Sequence, residues 1–345
     1  MREAVRLPEV TMPEVLANPP LHTGESDTPP VLLIAFRRPD TTKQVLDAIR
    51  TAAPGRMFVF CDGPDHNNQG EVERVAATRA LIEREIDWPC KIERRYSETH
   101  QGCKMGPAGA ITWFFEHVER GIILEDDCVA HPDFFPYCRE LLERYNDNSR
   151  VWCISGDNSY EVKLTGDWSY GFIPSPLMWG WASWRRAWAN YDIQMNAWNK
   201  IKTTPLLKDI FPDPREMEFY PKIFKQVEDG LDAWDFQFIC SVILNDALCV
   251  IPARNLISNI GFGGLATHTF GPSYSADAPT YPILPLNHPP LVRPDRYGYS
   301  QYIDRVYRVG VVPDEAKGTV ARGADANLMD RLRARQANGP RKANA

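Results

Sequence analysis

Three adjacent acids, Glu125-Asp126-Asp127, directly follow the apolar run Ile122-Ile123-Leu124. A run of that kind reads as a buried strand, so the carboxylates fall together at a strand tip. Each close pair would repel by up to about 4 kcal/mol at an effective dielectric near 20, and something must neutralise them. Hard oxygen donors in an open cluster suit Mg²⁺ or Mn²⁺, which keep part of their water and often share a site with substrate phosphates. The plain alternative is an acidic turn in solvent, which the apolar run ahead of the triplet disfavours. A Walker B strand also ends in acids, yet the chain has no G-x-x-x-x-G-K-[ST] loop to accompany it. Nor does a G-x-G-x-x-G follow the first apolar run; Gly261-Phe262-Gly263-Gly264 comes too late and lacks the spacing. These absences argue against a P-loop ATPase and a dinucleotide dehydrogenase.

The elements that must carry the triplet alternate regularly. Val31 to Phe36 is a continuous apolar run, after which Asp40 is expected to cap a helix bearing Val45, Leu46 and Ile49. Phe58-Val59-Phe60-Cys61 repeats the pattern, ends at Asp62-Gly63-Pro64, and precedes a helix around 70–86. A strand near 90–95 leads through Gly102 into a helix over 107–119, with Pro107 suited to its first turn. After the strand at 121–124, Pro132 opens another helix, and Val151-Trp152-Cys153-Ile154 is the fifth strand. Such alternation predicts an α/β fold with a doubly wound, mostly parallel sheet, whose ligands bind beyond the carboxyl ends of the strands. The polar residues there are Arg37, Arg38, Asp62, Glu125 to Asp127, and Ser155 to Asn158.

Four segments are expected: an arm over 1–30, a nucleotide-binding half over 31–160, an acceptor and catalytic half of the same domain over 161–270, and a Pro-rich strap with a tail over 271–345. Residues 168–200 are Trp-rich and read as irregular; a helix near 234–246 and a short strand at 248–251 follow. The chain has 345 residues, 43% of them hydrophobic and 24% charged, which places it among globular proteins. A formal charge of −6 disfavours nucleic acid as a partner. No stretch approaches 18 apolar residues and the N-terminus lacks an apolar core, so a cytoplasmic protein is expected, peripheral at a membrane face if its acceptor is lipid-linked. The eight cysteines contain no C-x-x-C pair and read as reduced core residues.

The order Val31-Leu32-Leu33-Ile34-Ala35 with Arg38, then Phe60-Cys61-Asp62, then Glu125-Asp126-Asp127 followed by Ala130-His131-Pro132-Asp133-Phe134-Phe135, resembles the GT-A glycosyltransferases. The likeness is to N-acetylglucosaminyltransferase I and its bacterial relatives, where E-D-D is a variant of the D-x-D metal motif. It covers roughly 31–145 and then continues in islands to 270. The resemblance implies that Asp127 ligates Mn²⁺ or Mg²⁺, while Glu125 and Asp126 face the ribose and the donor sugar. Asp62 would accept the N3 hydrogen of a uracil, Arg38 would approach the nucleotide or its phosphates, and Lys104 would meet the base or phosphates. Similar enzymes place their general base where Asp235 stands in Trp234-Asp235, with Asp232 as fallback and Asp157 behind it. Trp179 and Trp181, in Met178-Trp179-Gly180-Trp181, resemble segments that shape sugar and acceptor pockets, and His268 would reach the metal or diphosphate.

Each residue has a bland reading too: turn or helix-cap acids, surface cations, Trp packing in a core, a structural histidine. The function implied is metal-dependent, inverting transfer of a hexosyl or N-acetylhexosaminyl group from a nucleotide sugar, expected to be a UDP-sugar, to a hydroxyl of a carbohydrate or glycoconjugate acceptor. The rivals are a sugar-phosphate nucleotidyltransferase and a non-catalytic nucleotide-sugar or carbohydrate binder. The first should carry a glycine-rich basic loop after the first strand, where this chain has Phe36-Arg37-Arg38-Pro39-Asp40.

Overall fold

The computed structural model describes residues 27–262 and 277–308. The chain begins with β1 (Val31–Ala35), α1 (Pro39–Ala52), β2 (Arg56–Cys61), α2 (Gln69–Glu85), β3 (Lys91–Tyr96), α3 (Gly102–His117) and β4 (Arg120–Glu125). It continues through β5 (Cys128–Ala130), α4 (Phe134–Arg144), β6 (Val151–Ser155), β7 (Tyr170–Ile173) and β8 (Trp181–Trp184). Short helices α5 (Arg185–Trp188), α6 (Asn196–Ile201) and α7 (Leu207–Ile210) precede the longer α8 (Pro214–Glu228) and α9 (Asp235–Leu244). The described residues close with β9 (Leu248–Pro252), β10 (Ile257–Asn259) and α10 (Arg296–Arg308).

Eight strands form one sheet in the order β3-β2-β1-β4-β8-β6-β9-β7, and β5 pairs with β10 in a small second sheet. Strands β1 to β4 are mutually parallel, and β6 and β9 run with them; β8 and β7 run against their neighbours. The sheet is therefore a mixed, mostly parallel one, as the strand–helix alternation predicts for an α/β protein. Period-two side-chain alternation splits its residues between two cores: Val31, Leu33 and Ala35 of β1 face one, Leu32 and Ile34 the other. A third core forms between α8, α9 and the short helices, around Trp198, Phe211, Tyr220 and Phe224.

Four local expectations are corrected. Asp40 does not cap α1; Arg38 is the cap residue, Pro39 takes the first helical position, and Asp40 lies in the first turn, favourable to the helix dipole. Helix α3 starts at Gly102, so Pro107 stands inside it. The earlier start depends on carboxylates reaching its first amides from distant segments, which local spacing does not reveal. The helix after Pro132 begins at Phe134. The Trp-rich stretch taken as irregular supplies β7 and β8, the latter buried at every position and inserted between β4 and β6. Trp, Ser and Ala there do not alternate in polarity because both faces of the strand are covered.

Candidate functional site

The carboxyl ends of β1, β2 and β4 meet the first turn of α3 around a cleft of about 70 Å³ lined by Phe36, Arg38, Asp62, His100, Glu125 and Asp126, among others. Arg38 crosses the acidic triplet: its Nη2 lies 2.5 Å from Asp126 Oδ1 and 2.9 Å from Asp127 Oδ2. Asp126 is 2% exposed and also accepts the Phe36 amide at 3.0 Å. Burial alone would lower the guanidinium's pKa, but Asp126 and Asp127 more than offset it and hold Arg38 above its ordinary value. The cation that the triplet demands is thus partly supplied by the chain itself, from the loop following β1.

One guanidinium does not balance three acids. Glu125 makes no side-chain hydrogen bond among the described residues, and its pKa is pushed up to about 8, by burial first and then by Asp127, Asp235 and Asp126, against the pull of Arg38. Near neutral pH this carboxyl is therefore largely protonated as the chain stands. Asp127 keeps spare acceptor capacity, since its Oδ1 meets only the Cys128 thiol at 3.4 Å. The donor set suits a hard cation held by Asp127 with the remaining positions left to phosphate and water, a partial site; among the described residues no three His, Cys, Asp or Glu side chains converge as a full metal cage.

Pairing of β5 with β10 lays the following residues over the triplet, with the Ile260 amide bonded to the Asp127 carbonyl at 2.9 Å. A Cβ at Gly261 would stand 2.1 Å from Asp127 Oδ2 and 2.8 Å from Arg38 Nη1, so only glycine lets the backbone approach this closely. Next to it Phe262 meets Trp179 edge-on, centroids 5.7 Å apart. Trp181, expected at a pocket wall, is instead 1% exposed and stacks on Trp234 at 5.8 Å. It is a core residue that backs the residue preceding Asp235.

Asp235 is half-buried at the start of α9 and raises Glu125 by its charge, so the two belong to one acidic region; Trp234 is the α9 cap residue and no side chain caps the helix. Asp235 makes no side-chain hydrogen bond among the described residues, unlike a capping acid. Asp232 does cap, but another helix: its carboxylate accepts the Cys103 amide at 2.9 Å and the Lys104 amide at 2.8 Å at the start of α3. Gly102, with φ +81°, passes beneath it. The Lys104 ammonium has no ion-pair partner among the described residues.

Asp62 holds the preceding amides of the same turn. It accepts from Gly63 at 2.8 Å, Gln101 at 3.0 Å and Gly102 at 3.3 Å, and His100 Nδ1 lies 2.8 Å from Oδ2. That hydrogen bond is the main reason His100 is held above the usual imidazole range. The His100 ring stacks on Phe36, centroids 4.8 Å apart and 15° from parallel. Phe36 and His100 carry no signal in the sequence, since a lone aromatic after one strand and a lone histidine in a turn share no spacing that would link them. Asp157, 3% exposed after β6, bonds the Ser159 amide at 2.7 Å and lies in a tight turn. His268 lies outside the described residues.

A second cavity, larger than the acidic cleft at about 570 Å³, opens beyond β6 and β9 on the same strand-end edge of the sheet.

No family model matches the sequence, and no curated protein sequence does. Among solved structures the chain is similar to HddC from Yersinia pseudotuberculosis, with 9% identity over 42% of this chain, spanning 59% of that one, at a TM-score of 0.26. It is also similar to a UDP-glucose pyrophosphorylase complexed with UDP-glucose: 11% identity, 46% and 69% of the two chains, TM-score 0.26. A third, a 4-diphosphocytidyl-2C-methyl-D-erythritol synthase from Anaerococcus prevotii, gives 9% identity, 58% and 85% coverage, and 0.29. Likeness this slight leaves the activity to be argued from the site itself. No described helix is long and apolar enough to cross a membrane.

Proposed function

We propose that the protein is a glycosyltransferase that takes a sugar from a nucleoside diphosphate, with UDP the favoured nucleotide, and passes it with inversion to an acceptor hydroxyl. The observation that carries this reading is the gathering of Glu125, Asp126, Asp127 and Asp235 around a single guanidinium, Arg38, at the strand ends. Such an excess of negative charge calls for a cation, and a cation there would draw a diphosphate.

Asp127 would hold Mg²⁺ or Mn²⁺, which when bound neutralises the charge that grows on the departing diphosphate. Arg38 keeps Asp126 and Asp127 apart from one another's repulsion and presents positive charge toward the phosphates. Glu125 and Asp126 border the ribose and sugar. Lys104, in the first turn of α3 and without an ion-pair partner among the described residues, reaches the base or phosphates. Asp62 already serves four donors, so we assign it to holding the turn at 100–102 in place of reading the uracil N3 hydrogen, and assign the face of the base to the Phe36–His100 stack. Asp235 accepts the acceptor hydroxyl's proton as that oxygen attacks the anomeric carbon and the bond to the diphosphate breaks on the opposite side. The Trp179–Phe262 corner would border the sugar or acceptor, and His268 remains a candidate second contact to the metal or diphosphate. A cleft of about 70 Å³ is small against ordinary ligand sites of roughly 300 Å³ or more. Donor entry would therefore lift the segment at Gly261 off Asp127 and Arg38, and its return would shield the reaction from water.

The test is titration with UDP in the presence and absence of Mn²⁺, followed by assay of UDP release from a panel of UDP-sugars with carbohydrate acceptors. Asp127→Ala should abolish Mn²⁺-dependent UDP binding. Mn²⁺-dependent binding with no turnover on any donor and acceptor would favour the non-catalytic binder, and release of pyrophosphate from a nucleoside triphosphate and a sugar phosphate would favour the nucleotidyltransferase.

A further inference from the structure

The large cavity beyond β6 and β9 is built from three segments far apart in the chain: 158–163, 253–255 and 278–281. Two buried asparagines lock them together. Asn158 takes hydrogen bonds from Val162 and gives them to the Val162 and Pro252 carbonyls, while its amide meets Asn255 Oδ1 at 3.0 Å. Asn255 in turn donates to the Pro279 carbonyl at 3.1 Å, and its own carbonyl accepts the Tyr281 amide at 2.9 Å. With both asparagines satisfied in this way, the three segments are held together before any ligand arrives.

The walls are unlike the floor. Arg254 and Lys163 line the cavity, and neither side chain has an ion-pair or hydrogen-bond partner among the described residues, where most other arginines are paired. Both are exposed cations facing one cavity in a chain of net charge −6. Tyr281 lines the same space with 43% of its surface exposed, offering an aromatic face at the rim. Glu161 shares that rim in a left-handed conformation, φ +49°, and Asp277, one residue before the third segment, is also left-handed at φ +50°. Non-glycine residues adopt that backbone at a cost, which a rigid binding site can sustain. At about 570 Å³ the cavity has the size of an ordinary small-molecule site.

We propose that this cavity binds an anionic saccharide, its ring laid on Tyr281 and its phosphate or carboxylate held between Arg254 and Lys163. The Glu161 carboxylate opposes more than one such group and so selects for a single anionic substituent. The site is separate from the acidic cleft, and the inference does not depend on glycosyl transfer.

Calorimetric titration of the full-length chain with glucose 6-phosphate, glucuronate, glucose and inorganic phosphate tests it. One or both anionic sugars should bind about tenfold or more tightly than glucose, the stronger of the two telling phosphate from carboxylate. Arg254→Ala and Lys163→Ala, both at solvent-facing side chains and checked by unchanged melting temperatures, should each weaken that binding several-fold. Tyr281→Ala should weaken the sugars but not inorganic phosphate. UDP with Mn²⁺ should not compete. Equal binding of glucose and its anionic forms, no detectable binding of either anion, indifference to the Arg254 and Lys163 variants, or full competition by UDP would each overturn the proposal.

Discussion

The two ends of one sheet edge carry opposite charge imbalances. Beyond β1 and β4, three consecutive acids and Asp235 face one arginine, and Glu125 answers by holding its proton to about pH 8. Beyond β6 and β9, Arg254 and Lys163 have no described counter-ion. A folded chain can settle most of its charges internally, as Arg215 does between Asp213 and Asp304, and the two proposed sites are places where the described residues do not. The difference also lies in construction: the acidic end is tight and roofed by Gly261, the basic end roomy and open.

The comparison breaks most severely if the internal cation is not needed. Arg38→Met would leave Asp126, 2% exposed, and Asp127 without their shared partner, and should cost about 3–5 kcal/mol of stability by denaturant unfolding. A variant as stable as the parent would mean that the triplet is neutralised in another way. Asp235→Asn should lower turnover by about two orders of magnitude, near 3 kcal/mol of barrier, while UDP binding stays close to the parent's. Transfer at the parental rate would remove Asp235 from the chemistry.

A smaller effect concerns the turn between the two ends. Burial raises the Asp157 carboxyl to about 6, despite bonding to Ser159. A folded-state pKa above the unfolded value of 3.8 means that the group's favourable share of stability is complete below about pH 4 and lost as pH rises through 6. Asp157→Asn keeps an acceptor for the Ser159 amide and should remove this slope, leaving the variant about 3 kcal/mol more stable than the parent well above pH 6 and similar to it near pH 4. Gly102→Ala should be the mildest change, about 1 kcal/mol from its left-handed backbone plus a shift of Asp232, whose Oδ2 would lie 2.8 Å from the new Cβ.

Legibility followed sequence distance. The triplet could be read because its charge is concentrated in consecutive residues at the end of an apolar run, and β1, β2 and β4 because each is a largely buried block bounded by turn residues. Strand β8 escaped because Trp181-Ala182-Ser183-Trp184 carries neither alternation nor a β-branched run; its place between β4 and β6 is decided by what covers it. Arg38 was marked as polar and near the site, but nothing local shows that it bridges Asp126 and Asp127, some ninety residues later. Asp232 looked like a spare base and serves as a helix cap because its targets, the amides of 103 and 104, belong to a helix more than a hundred residues earlier. The basic cavity was invisible for the same reason: its three walls have no neighbouring positions in the chain, and the asparagines that join them resemble ordinary loop residues.

The insertion of β8 bears on how the molecule must be made. A ribosome releases β1 to β6 well before Trp181 emerges, and until then β4 and β6 each present a row of unsatisfied amides and carbonyls on the side that β8 will later occupy. Such bare margins invite pairing with another nascent chain. A gene truncated at residue 160 would make that interval permanent, and its product is expected to be found in the insoluble fraction.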